Sequence, residues 1–175
     1  MLNQRLDLLK DYPFQRLRDL LADVTPQAGL GPIAMSLGEP QHPYPDLLGQ
    51  LLQQNQHLYG KYPPLAGTPE FCQAAADWLQ RRYRLPAGMI EPGRHVLPLS
   101  GTREGLFMIA LAAVPPAKAG RQPLVLMPNP FYQCYAAGAI AAGGEPLYLP
   151  ALAERNFMPD FAGLPEATLA RTALV

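Results

Sequence analysis

Hydrophobic positions along the chain follow two different periods. Between Pro13 and Val24, the residues Phe14, Leu17, Leu20, Leu21 and Val24 share one face of a 3.6-residue repeat, and Pro13 suits a first-turn position. Pro45 to Leu58 repeats the pattern through Leu47, Leu48, Leu51, Leu52 and Leu58. Thr68-Pro69-Glu70 has the chemistry of a helix start: an N-cap hydroxyl, a proline at the first helical position and an acid in the first turn. Phe71, Ala75, Trp78, Leu79 and Arg82 continue that period until Pro86 stops it. Ile33 to Leu37 reads as a short strand running into a Gly38-Glu39-Pro40 turn.

From His95 onward, short apolar runs alternate with helical stretches. The pattern predicts a strand at His95–Leu99, a helix at Thr102–Ala113 ended by Pro115-Pro116, and a strand at Leu124–Met127. That last run is apolar on both faces, as a central parallel strand is. A Pro128-Asn-Pro130 turn leads to an alanine-rich helix, Tyr132–Ala142, closed by Gly143-Gly144. A strand at Leu147–Leu149, a helix near Pro165–Ala170 and a strand beginning at Thr172 follow. Strands alternating with helices predict an α/β layer fold with a mostly parallel sheet.

Composition narrows the function classes. The 175 residues have the length of one domain, and 49% are apolar, enough for a core. Lys+Arg and Asp+Glu balance at 14 each, so there is no electrostatic footprint for nucleic acid or an anionic membrane. No apolar run approaches the ~20 residues of a membrane span. The N-terminus is amphipathic and carries acids, unlike a signal peptide. Cys72 and Cys134 form no CxxC, and read as reduced, packed thiols of a cytoplasmic protein. The chain stops within its last expected strand, which predicts the front part of a longer protein.

Three stretches carry candidate chemistry. Ser100-Gly-Thr102 at a helix start offers N–H donors, a hydroxyl and the positive helix end, which suits a phosphate or carboxylate; it equally fits an ordinary N-cap turn. It is neither GxGxxG nor GxxxxGK[ST]. After the buried strand, Tyr132 presents a flat ring beside Phe131 and Tyr135, either to a ligand or to the core. The Lys61–Gly67 loop, with Tyr62, is long for a simple connector. His42, His57 and His95 have no metal-ligand spacing, and Glu104 reads as a first-turn acid.

Four motifs taken in order, "SLGEPQHPYP" (36–45), "KYPPLAGTPEF" (61–71), "LPLSGTREGLF" (97–107) and "MPNPFYQCY" (127–135), resemble the fold-type I, class I/II pyridoxal-phosphate (PLP)-dependent aminotransferases. Running similarity across 11–26, 95–107 and 128–150 is nearest to the bacterial succinyldiaminopimelate aminotransferases. The resemblance implies a three-layer α/β/α fold. Residues 1–45 would be an N-terminal arm and small-domain segment, and 46–175 the first part of a large PLP-binding domain. It implies that Gly101, Thr102 and Arg103 form the phosphate cup and that Tyr132 stacks on the pyridine ring. Tyr62 would reach the phosphate of a neighbouring subunit, making a homodimer with shared sites, and the Gly38 backbone would approach the substrate carboxylate. Arg103 stands where many relatives carry a smaller hydroxyl or a lysine; its guanidinium either pairs with the phosphate or points to solvent. The implied reaction exchanges an amino group between N-succinyl-LL-2,6-diaminopimelate and 2-oxoglutarate.

The family also needs a Schiff-base lysine, and Lys10, Lys61 and Lys118 match none of its sequence context. No catalytic residue is therefore expected among these residues, and the 175-residue chain is expected to be inactive alone. Two alternatives share the motifs: a PLP-dependent lyase or synthase of the same fold, and a non-catalytic α/β fragment that binds a phosphorylated ligand.

Overall fold

The computed structural model describes residues 3–31, 33 and 35–175. Two packing units emerge: residues up to Arg16 together with Leu99–Val175, and Leu17–Pro98.

The first unit is built on a three-stranded sheet of β1 (Leu124–Asn129), β2 (Glu145–Pro150) and β3 (Thr172–Leu174), in the order β2-β1-β3. All pairings are parallel, with Leu124 opposite Glu145 and Asn129 opposite Pro150. The central position of β1 explains its unbroken apolar run, since Leu124, Val125, Leu126 and Met127 are all buried. Alternate residues serve opposite faces. Val125 and Met127 join Val114 and Ala139 in one core cluster, while Leu124 and Leu126 pack with Leu149 and Leu164 in another.

Helix α5 (Thr102–Ala113) matches its predicted bounds and gives way at Pro115-Pro116. Helix α6 (Gln133–Ala141) has no charged side chain and is largely apolar all round, as expected of a helix enclosed by other elements. It packs on β1, β2 and α5. Gly138 allows the close approach to α5, because a Cβ there would lie 3.1 Å from the Ala110 Cβ. Gly143, at φ +86°, turns the chain out of α6, and the Gly144 N–H returns to the Ala139 carbonyl at 2.8 Å. Arg5, in a 3-10 turn at Gln4–Leu8, donates from Nη1 to the Ala141 carbonyl at 3.1 Å. A cation thus sits where helix carbonyls lack partners. Helix α7 (Glu166–Arg171) leads directly into β3.

The second unit contains α2 (Asp46–Gln54), α3 (Pro69–Tyr83) and α4 (Pro92–His95). Helix α1 (Pro13–Leu21) begins before this unit and runs into it. Thr68 caps α3 as its sequence predicts, with Oγ1 accepting the Phe71 N–H at 3.2 Å.

Two expected strands do not form. Ile33 and Met35–Leu37 lie outside any strand, with Ile33, Met35 and Leu37 exposed; Ala34 lies outside the described residues. At His95–Leu99, His95 instead ends α4, where its Nδ1 accepts the Glu91 N–H at 3.0 Å. Val96–Leu99 lies outside any strand, and Pro98 has no N–H to give a ladder. Apolar alternation marks a strand only when a second strand supplies its hydrogen bonds, and neither segment has one among the described residues.

Candidate functional site

The site is assembled where α5 and α6 begin. Gly101 is the N-cap of α5, with φ +142° and ψ +154°, a region that strongly favours glycine. A Cβ built there would meet nothing within 4 Å, so the space beside the helix start is open. The first helical N–H groups, beginning at Thr102 and Arg103, have no intrahelical acceptor and sit at the positive end of the helix. Among the described residues no backbone acceptor takes them. This open turn fits an anionic phosphate.

One acid already lies there. The Glu104 carboxylate bends back over the turn and accepts the Ser100 N–H through Oε2 at 3.0 Å. It relates to a capping box, in which an acid at the third helical position closes back on the turn before the helix. The Ser100-to-Glu104 spacing is visible in the sequence, but reading Glu104 only as a dipole-favouring acid misses the closure.

Tyr132 follows β1 and the Pro130-Phe131 turn and is the N-cap residue of α6. Its half-buried ring meets Tyr135 edge to face, with centroids 5.9 Å apart and planes at 89°. Arg103 reaches across from α5, and its Nε donates to the Tyr132 Oη at 2.6 Å. The structure thus brings Gly101, Thr102, Arg103 and Tyr132 to one place within the first unit. The Arg103 residue is exposed, yet its side chain is engaged, with Nε committed to the Tyr132 hydroxyl. This hydrogen bond, followed by the charge interaction with the same tyrosine, pushes the guanidinium further above its already high range.

Beside the pair, a cavity of about 480 Å³ opens between α5 and α6, lined by Tyr12, Arg103, Phe107, Met108 and Cys134 among others. Tyr12 carries no motif that marks it from sequence. Burial pushes the Cys134 thiol up from its ordinary range, while the Arg103 charge pulls weakly the other way.

Gly38 and Tyr62 belong to the second unit. Gly38 lies in an exposed loop with open space at its Cα, and Tyr62 is fully exposed in the 59–67 loop. Of the lysines, Lys118 bonds the Thr172 carbonyl through Nζ, near the amino ends of the strands. Ligands of open α/β sheets sit at the opposite, carboxyl ends. Lys61 lies in the Tyr62 loop and Lys10 just beyond the first 3-10 turn.

Known proteins identify the family. The family model for aminotransferase class I and II matches residues 32–174. The LL-diaminopimelate aminotransferase of Desulforudis audaxviator is 33% identical over 98% of this chain and 42% of its own length. That of Aquifex aeolicus is 32% identical over 99% and 43%. Among solved structures, an aminotransferase from Neisseria meningitidis superposes with a TM-score of 0.86 at 35% identity, covering 98% of this chain and 42% of that one. An aminotransferase from Staphylococcus aureus gives 0.78 at 25% identity. The chain spans about 42% of the length of the first of these curated relatives. On the family match, the similar structures and its parallel sheet, the chain belongs to the PLP-dependent class I and II aminotransferase family, with the fold-type I architecture.

Proposed function

We propose that this chain carries the cofactor-holding part of an aminotransferase that passes an amino group between a diaminopimelate-type donor and 2-oxoglutarate. One observation carries the reading: the Arg103–Tyr132 contact joins the α5 turn to the aromatic ring, so phosphate donors and a flat stacking surface share one site. The backbone N–H groups at Thr102 and Arg103 would hold the phosphate, with Gly101 keeping the turn open. Tyr132 would lie against the pyridine ring, where an electron-rich face suits a cationic ring. When bound, PLP supplies the electron sink that lets the amino group leave one carbon skeleton for another.

Gly38 would approach the substrate carboxylate through its backbone. Full exposure of Tyr62 supports a role outside its own packing unit, reaching the phosphate in a second copy of the chain within a cytoplasmic homodimer. The division of the parent enzyme at 45/46, into an N-terminal arm with a small-domain segment and a large domain, belongs to the same proposal. Running similarity favours N-succinyl-LL-2,6-diaminopimelate as donor, whereas the relatives above are named for LL-diaminopimelate itself. The engagement of Lys118 with Thr172 favours a chain that binds PLP without turning it over.

Equilibrium dialysis of the purified chain against PLP tests the site, with Tyr132→Ala as control. Saturable binding weakened by Tyr132→Ala is expected, and absence of binding, or binding indifferent to the substitution, overturns the assignment. Transamination assays with each donor and 2-oxoglutarate should show no turnover by the chain alone. Turnover would overturn the binding-only reading and identify the donor.

A further inference from the structure

The geometry points to Arg103 as a positioning residue: we infer that its side chain fixes the hydroxyl end of the Tyr132 ring, and that only its backbone N–H serves the anion. The inference rests on the reading that the cofactor ring stacks on Tyr132.

The placement of the guanidinium carries the argument. Its Nε lies 2.6 Å from the Tyr132 Oη, and its Cζ lies 5.4 Å from the ring centroid. A guanidinium lying flat on the centre of the ring would bring Cζ to about 3.5–4 Å, the contact distance of carbon atoms. The longer separation, together with the short hydrogen bond, puts the charge at the hydroxyl end of the ring. The Cζ lies off the centre of the face while staying within cation–π range of the ring.

The ring is therefore held at two points. Tyr135 meets it at right angles, and Arg103 holds its phenolic oxygen. A tyrosine side chain has two rotatable torsions, and a tether at the far tip restricts both. Arg103 is the second residue of α5, and helical side chains lean toward the helix N-terminus. Its backbone N–H is thus free at the helix start while its long side chain crosses to the start of α6. Orientation of a stacking ring before the ligand arrives lowers the ordering cost of binding. Arginine suits this role because its planar fork keeps a fixed donor direction. The groups facing the guanidinium include Tyr132, Tyr12 and Cys134, and no carboxylate pairs with it among the described residues.

A double-mutant cycle on the full chain separates positioning from direct phosphate binding. Arg103→Met removes the donor, and Tyr132→Phe keeps the ring but removes the acceptor. If Arg103 acts through the hydroxyl, each single variant and the double variant weaken PLP binding to a similar extent, about three- to tenfold, because the two groups form one unit. The induced circular dichroism of bound PLP changes in the same way in all three. If Arg103 binds the phosphate, Arg103→Met weakens PLP further in the Tyr132→Phe background and abolishes competition by inorganic phosphate. That result overturns the inference.

A second measurement needs no cofactor. In nitrogen-15 NMR of the free chain, the Arg103 Nε–H, assigned through its loss in Arg103→Met, should exchange with solvent more slowly than the Nε–H of Arg94, whose side chain is 75% exposed. Tyr132→Phe should abolish that protection. An unprotected Nε–H in the wild-type chain overturns the inference even if PLP binds. If PLP does not bind, the proposed function fails, and the exchange measurement still decides whether Arg103 holds Tyr132.

Discussion

Arg171 and Glu145 tie the amino ends of the strands together. The Arg171 Nη2 lies 2.6 Å from the Glu145 Oε2, while Nε and Nη2 both donate to the Gln122 carbonyl, at 3.1 and 2.9 Å. Gln122 precedes β1, Glu145 opens β2, and Arg171 ends α7 immediately before β3. One guanidinium therefore sets where three parallel strands begin. The Arg171 side chain is 16% exposed and that of Glu145 is 50% exposed, so the two partners should respond unequally to removal. Arg171→Ala is expected to destabilise the chain by about 1–3 kcal/mol, because it strips the Gln122 carbonyl of its donors. Glu145→Ala should cost at most about 1 kcal/mol, as for other solvent-facing ion pairs. Urea denaturation of both variants measures the difference, and equal losses would refute the clamp.

Under the proposed function, Glu104 would compete with the incoming phosphate. Its carboxylate already accepts the Ser100 N–H across the α5 turn. Glu104→Gln should tighten PLP binding severalfold at low salt, with a smaller gain at high salt as screening takes over. The same change should weaken the helix start by roughly 0.3–1 kcal/mol, through loss of an acid at the positive end. Binding titrations at two ionic strengths, paired with thermal melts, test both signs.

Cys134 should be a slow thiol. Burial raises its pKa above the ordinary thiol value, so the unfolded chain releases this proton at a lower pH than the folded one. Between the two values the folded state holds more protons, and stability falls as pH rises through that window. Below the unfolded value, about 8.5, the contribution is fully present. A stability–pH curve should therefore decline above that point, and Cys134→Ala should flatten it. Maleimide labelling at neutral pH should be slower at Cys134 in the folded chain than in urea.

Gly138 sets the spacing of α5 and α6. A Cβ there would sit 3.1 Å from the Ala110 Cβ and 3.3 Å from the Phe107 carbonyl oxygen. Gly138→Val should force the helices apart and cost about 1–3 kcal/mol or more. Because Phe107 also lines the cavity beside Arg103, the near-ultraviolet signal of the aromatic residues should change as well. An unchanged spectrum and melting temperature would show that the contact has slack.

Legibility followed the source of each signal. Helix α5 and the Thr68 cap were legible because their start and stop signals are local side-chain chemistry. Strand β1 was legible because burial on both faces leaves an unbroken apolar run. The expected strands at 33–37 and 95–99 misled because a strand is made by its neighbour, and residue pattern alone does not supply one. In the site, Gly101 and Tyr132 stood out by position, since each precedes a recognisable helix. The Arg103–Tyr132 bond spans 29 residues and the Tyr12 contribution comes from the other end of the chain. Such partners share no period or motif, so only the folded backbone reveals them. The Ser100–Glu104 closure is intermediate, with the right residues at the right spacing but two plausible uses for the acid.

The Arg5 contact with α6 sets a timetable for synthesis. Its acceptor, the Ala141 carbonyl, lies 136 residues downstream. At translation rates of 5–20 residues per second, the first turn of the chain waits roughly 7–27 s for its binding surface to be made. During that interval the intervening segment Leu17–Pro98, a packing unit of its own, is synthesised in full. The Gln4–Leu8 turn thus settles only after the segment between it and α6 has been made, and acts as a closing stitch rather than a nucleus.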